Sequence, residues 1–144
     1  MEEVVVKRFK ELSIQELYEL LKLRVDVFVV EQQCPYPEID GEDLEAIHVM
    51  IKRAGEIVAY LRILPGTEVR IGRVIAKYRG EHLGAKVLQA GIKAAKEYFN
   101  PTQLFLNAQT YAAGFYEKAG FTVCGAEFLE DDIPHVPMVA HIAK

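Results

Sequence analysis

The sequence predicts an α/β (α+β) fold built on a single mixed, mostly antiparallel sheet of about six to seven strands, with helices on both faces. Three observations carry that expectation. Apolar runs at residues 4–6, 48–51, 57–64 and 69–76 read as four strands in a row of antiparallel neighbours. The run 57–64 alternates Ile57, Ala59, Leu61 and Ile63 against Val58, Tyr60 and Leu64, so both its faces are apolar and it is central. A helical pattern then separates residues 69–76 from the strand at 104–108, and a strand reached through a helical crossover lies parallel to its predecessor.

Each element follows from local chemistry. Residues 4–6 with Arg8 and Phe9 form a first strand, and Ser13 with Glu16 makes a capping box ahead of a helix. Leu17, Leu20, Leu21, Val25 and Phe28 recur at steps of three and four, which leaves Glu19, Lys22 and Asp26 for the outer face and Arg24 at the apolar seam. Residues 29–43, dense in acids and broken by Pro35 and Pro37, form an irregular lid whose Glu31, Glu38, Asp40 and Asp43 suit a cationic amine. Arg53 to Glu56 spans a hairpin, and Pro65-Gly66 is a turn. Leu83, Val87, Leu88, Ala94, Ala95 and Tyr98 line a long helix that stops at Asn100-Pro101. A short helix from Tyr111 to Lys118 ends at Gly120. Residues 121–128 and 136–142 make a final antiparallel pair, joined by the acidic segment 130–135.

Composition narrows the function. At 144 residues the chain reads as a single domain over residues 1–144, and its 51% hydrophobic content supports one core. A net charge of -4 argues against a sequence-independent grip on nucleic acid or anionic lipid, so any polyanion must be held locally. No apolar run reaches membrane-span length. Cys34 and Cys124 lack metal-ligand partners at motif spacing, so no metal is expected, and they read as reduced thiols in a cytoplasm. A monomer or homodimer is expected.

The local anion site is residues 71–95, in the order strand, basic glycine loop, helix. A glycine loop entering a helix presents unpaired N–H groups and the positive end of the helix dipole at one point, which favours a pyrophosphate. Arg79 adds a fixed charge. Neither a nucleotide P-loop nor the Rossmann G-x-G-x-x-G occurs. The loop Arg79-Gly80-Glu81-His82-Leu83-Gly84 instead resembles the acyl-CoA loop of the GCN5-related N-acetyltransferases (GNAT), with His82 where the middle glycine is expected. A second segment, residues 107–121, is similar to that family's Phe-Tyr-x-x-x-Gly-Phe helix at Phe115-Tyr116 and Gly120-Phe121. A third set resembles the ElaA-like branch and covers nearly the whole chain: residues 23–32, 34–36 and 40–43, Ile71-Gly72-Arg73-Val74, Arg79-Gly80-Glu81, Ala108-Gln109, and residues 133–138.

That resemblance implies a parallel central pair of strands that splay apart to admit acetyl-CoA (coenzyme A). Its pantetheine would pair with the backbone of Val74 and Ile75, and its pyrophosphate would rest on Arg79, Gly80, Glu81 and the N–H groups of His82, Leu83, Gly84 and Ala85. Asn107, Phe115 and Tyr116 would complete the cofactor site, with Tyr116 beside the sulfur as general acid. Arg24, Glu31, Tyr36 and Asp40 are the expected acceptor contacts.

The implied activity is direct acetyl transfer to a primary amine of a small molecule or peptide, in a ternary complex. An amine with pKa near ~10 must lose a proton, and a thiolate with pKa near ~8.5 must gain one. Glu31, Glu130, His48 and His135 are the candidate bases. Two other readings stand beside this one. One is a catalytically silent acyl-CoA-binding or sensor module. The other is an acyl-homoserine lactone synthase-like enzyme, suggested by the Arg-x-x-Val-Phe pattern at residues 24–28.

Overall fold

A computed structural model describes residues 2–33 and 38–142. Strand β1 (Glu2–Arg8) leads to helix α1 (Ile14–Arg24), whose start is set by the expected capping box: Ser13 Oγ accepts from the Glu16 N–H, and Glu16 accepts from the Ser13 N–H. The same carboxylate is bonded by Lys7 of β1 and by Lys52, which pins the helix to the sheet. The helix then widens into a π-helical turn over Val25–Glu31, a feature that the apolar spacing does not disclose.

Strands β2 (Ile47–Arg53), β3 (Glu56–Leu64) and β4 (Val69–Ala76) follow β1 in turn, each antiparallel to the one before, as expected. Helix α2 (Leu83–Phe99) crosses over to β5 (Gln103–Gln109), which pairs parallel to β4. Helix α3 (Ala113–Lys118) precedes β6 (Thr122–Val123), β7 (Phe128–Glu130) and β8 (Ile133–His141). The eight strands run β1-β2-β3-β4-β5-β8-β6, with β7 also on β8. Helix α2 covers one face through Val87, Leu88, Ala94 and Ala95. Helix α1 covers the other, where Leu20 and Leu23 pack on Met50, Ile57, Tyr60 and Ile75.

Four local expectations need correction. The alternation in β3 breaks at a bulge, where Ile51 faces Ala59 but Lys52 faces Ile57, so Val58 joins the α2 side and Ile57 the α1 side. Glu19, expected on the outer face, accepts the Ile57 N–H beside that bulge. The run 121–128 is not one strand: it holds β6 and only the first residue of β7. The last connection is also tighter than expected. Asp131 and Asp132 both have positive φ and close a two-residue hairpin turn, a conformation that short acidic side chains tolerate, so Ile133, Pro134 and His135 are already strand.

Candidate active site

A second bulge shapes the cleft. Tyr60 pairs with Ile75 and Arg62 with Gly72, so two residues of β4 oppose one of β3, and Arg73 takes a left-handed φ of 54°. Strand β4 bends accordingly. Its parallel pairing with β5 is confined to Val69 with Leu104 and Arg70 with Phe105, and beyond that point the two strands part. The opening is a cleft of about 1070 Å³ lined along β4 by Ile71, Val74 and Ile75 and along β5 by Leu106, Asn107 and Gln109.

At one end of the cleft, α2 begins. The Lys86 N–H donates to the His82 carbonyl, so the amides before it belong to the helix's N-terminal set without intrahelical partners. His82 holds φ 60°, which explains why a glycine suits this position in the resembling loop and why histidine, one of the side chains that tolerate this region, can replace it. Gly84 approaches Phe115 so closely that a Cβ would lie 3.3 Å from the ring. Arg79, Gly84, Phe115 and Tyr116 all line the cleft. Tyr116 packs edge-on against Phe115 and Phe121, and burial pushes its phenol up to about 12.

The other wall comes from the π turn, the lid and the β7–β8 hairpin. Val27, Phe28, Glu31, Gln32, Asp40, Glu130 and His135 line it. The Gln109 amide donates to Gln32 Oε1 at 3.1 Å and ties β5 to the π turn, a contact between residues 77 positions apart. His135 lies opposite Gln109 on β8 and stacks on Phe128. Its Nδ1 is 2.7 Å from the Ile133 carbonyl and its Nε2 is 3.7 Å from Glu130.

Several expected site residues do other work. Arg24 is fully buried and does not line the cleft; its guanidinium bonds Glu38 at 2.6 Å, Asp43 at 2.7 Å and the Glu38 carbonyl. Asp40 does line the cleft, but Arg62 holds both its oxygens and Arg73 reaches one of them. Glu38 is shared by Arg24 and Arg73, and Asp43 by Arg24 and Arg62. Glu38, Asp40 and Asp43 are therefore neutralised by arginines and do not form the open acidic wall that the lid sequence suggests, while Glu31 and Glu42 stay exposed at the cleft, Glu42 within 3.6 Å of Arg62. Burial opposes ionisation of Asp43, but bonds from Arg24 and Arg62 outweigh it and hold the carboxyl below its ordinary value.

His48 is also removed from the cleft. Its Nε2–H donates to the Asp43 carbonyl, Nδ1 accepts from the Tyr60 hydroxyl at 2.6 Å, and burial lowers its pKa. The Glu81 side chain turns to Arg53 at 2.6 Å. Tyr36 and Cys34 lie outside the described residues. Arg62 and Gln32 were missed as cleft residues. An arginine inside the apolar run 57–64 was the available signal for the first, since a buried charge in a central strand requires partners.

Comparison with known proteins agrees with this geometry. A family model described as an acetyltransferase (GNAT) domain matches residues 13–142. A UPF0039 protein of Schizosaccharomyces pombe is 42% identical over 94% of this chain and 95% of its own length. The crystal structure of Escherichia coli ElaA is 37% identical, with a TM-score of 0.92 over 98% of this chain and 100% of that one. An acyl-CoA N-acyltransferase from Pseudomonas aeruginosa is 39% identical, with a TM-score of 0.90 over 96% of this chain and 99% of its own. Likeness of this extent, over nearly the full length of both partners in each comparison, means that the chain belongs to the acetyltransferase (GNAT) family, in its ElaA-like branch.

Proposed function

We propose that the protein is an acetyl-CoA-dependent N-acyltransferase that moves an acetyl group to a primary amine of a small molecule or peptide, directly and within a ternary complex. One observation carries the reading: β4 loses its parallel partner after Arg70, and the cleft so opened meets the N-terminus of α2 at one end and Tyr116 in its wall. The residues present fit the cofactor. Gly84 has no side chain to cover the helix-end amides, and Arg79 lines the same cleft. An anion at those amides gains from the helix dipole at contact distance, where the diffuse charge of a net-acidic chain is screened.

When bound, acetyl-CoA supplies an activated carbonyl and a thiolate leaving group. Val74 and Ile75 would hold the pantetheine by backbone groups, and Arg79, Gly80, Glu81, His82, Leu83, Gly84 and Ala85 would hold the pyrophosphate. Asn107 and Phe115 would line the arm. Tyr116, with its phenol at about 12, keeps its proton throughout the neutral range and can donate it to a departing thiolate. Glu31, exposed on the rim and outside the arginine network, is the lid carboxylate best placed to meet a cationic acceptor.

Calorimetry with acetyl-CoA, followed by a panel of primary amines read by free-thiol release, tests the proposal. Saturable binding with turnover of at least one amine is expected. A response to ATP or NAD with none to acetyl-CoA would overturn the cofactor; binding without turnover of any amine would favour the silent acyl-CoA module.

A further inference from the structure

Resting on that reading, we infer that His135 is the general base, its Nε2 taking the proton from the acceptor ammonium, and that Glu130 is the positioning residue which meets the resulting imidazolium. The tautomer follows from one contact. The Ile133 oxygen can only accept, so Nδ1, 2.7 Å away, carries the hydrogen in the neutral ring. Nε2 is then the nitrogen with the free lone pair, and a histidine base needs that pair turned to its substrate.

The hairpin fixes the ring. Phe128 faces His135 and Glu130 faces Ile133 across β7 and β8, and since alternate residues of a strand share a face, all four lie on one side. Phe128 stacks on the imidazole with 26° between planes, and the turn of Asp131 and Asp132 keeps the register. That side is the one away from α2: Val136, Met138 and Ala140 pack into the α2 core, and His135 alternates with them. Among the other candidates, His48 is buried beneath the lid with both nitrogens engaged, and Glu31 is exposed at the rim. His135 is buried except at the cleft that it lines.

The protons balance. The acceptor ammonium gives one proton to Nε2, and the freed nitrogen pair forms the C–N bond as the C–S pair leaves with sulfur. Tyr116 protonates that sulfur, and the second amine proton, lost as the amide forms, restores the phenol. The proton on His135 passes to water.

The test uses the full chain with two variants, His135→Ala and Glu130→Gln, each checked for acetyl-CoA affinity by calorimetry and for its melting temperature. The acceptor probes are spermidine, glucosamine and a dipeptide with a free N-terminus. Turnover of His135→Ala should fall at least about 100-fold with acetyl-CoA affinity unchanged, and added imidazole should restore part of it. Glu130→Gln should lower kcat about tenfold without altering the KM for acetyl-CoA. Nitrogen-15 NMR of the unliganded protein should show the neutral His135 ring protonated at Nδ1. Near-normal turnover in His135→Ala overturns the assignment even where the parent reading stands. If none of the probes is turned over, the NMR measurement decides, and a ring protonated at Nε2 overturns it. Absence of acetyl-CoA binding by the unaltered protein refutes the parent reading and this inference with it.

Discussion

Replacing Arg24 with Met isolates the charged network beneath the lid. Arg24 is fully buried, makes three bonds to Glu38 and Asp43, and lies over the Tyr60 ring at 5.9 Å, so Met preserves volume while removing charge and donors. Breaking a buried ion pair costs about 3–5 kcal/mol, because the partner charge is left without compensation. Here compensation survives in part. Arg73 still bonds Glu38 at 2.9 Å, and Arg62 still bonds Asp43 at 3.0 Å. The expected loss is therefore at the low end, about 3 kcal/mol. At roughly 2–4 °C per kcal/mol for a chain of this size, melting should drop by about 6–12 °C.

The pH dependence has a definite sign. Asp43 is held below its ordinary value in the folded protein, so its contribution is present above that value and is lost as pH falls through the folded pKa. Arg24→Met removes the principal bond that lowers it. Acidification from pH 7 to about 3 should thus cost the unaltered protein more, and the gap between the two should narrow. Urea titrations at both pH values measure it. A gap under about 1 kcal/mol at pH 7, or one that does not narrow in acid, would refute the view that a buried charge network holds the lid.

Other outcomes follow from the site and the helix start. Tyr116→Phe should keep acetyl-CoA affinity while turnover falls about 100-fold, measured by thiol release; loss of melting temperature with normal turnover would make Tyr116 a core residue only. Arg79→Ala should weaken acetyl-CoA binding and flatten its salt dependence, both read by calorimetry. Glu16 is buried, which opposes its charge, but bonds from Lys52, the Ser13 N–H and Lys7 outweigh that and hold it at about 2. Its stabilisation is complete above the ordinary carboxylate value and lost between about 4.5 and 2, so Glu16→Gln should destabilise at pH 7 by roughly 3 kcal/mol and far less at pH 2.

What the sequence determined by itself was carried by residues near one another along the chain. Ser13 and Glu16 are three apart and make their box wherever the helix goes. The order strand, Arg79 loop, helix needs only its own backbone to leave amides without intrahelical partners at the start of α2, and Phe115-Tyr116 with Gly120 needs one turn of helix. The parallel pair followed from the crossover. Tertiary structure decided the rest, because those outcomes depend on partners brought close only by folding. The acids Glu38, Asp40 and Asp43 read as an open cation-binding wall until Arg24, Arg62 and Arg73 arrive from α1, β3 and β4 to neutralise them. The splay of β4 depends on a bulge at Arg73, set by register against β3 rather than by any turn residue. The choice between His48 and His135 was equally invisible, since both stand in strands and only packing engages both nitrogens of one and turns the other toward the cleft. A charge or a lone pair has its meaning from what it faces, and in this chain those facings reach across as many as 77 residues.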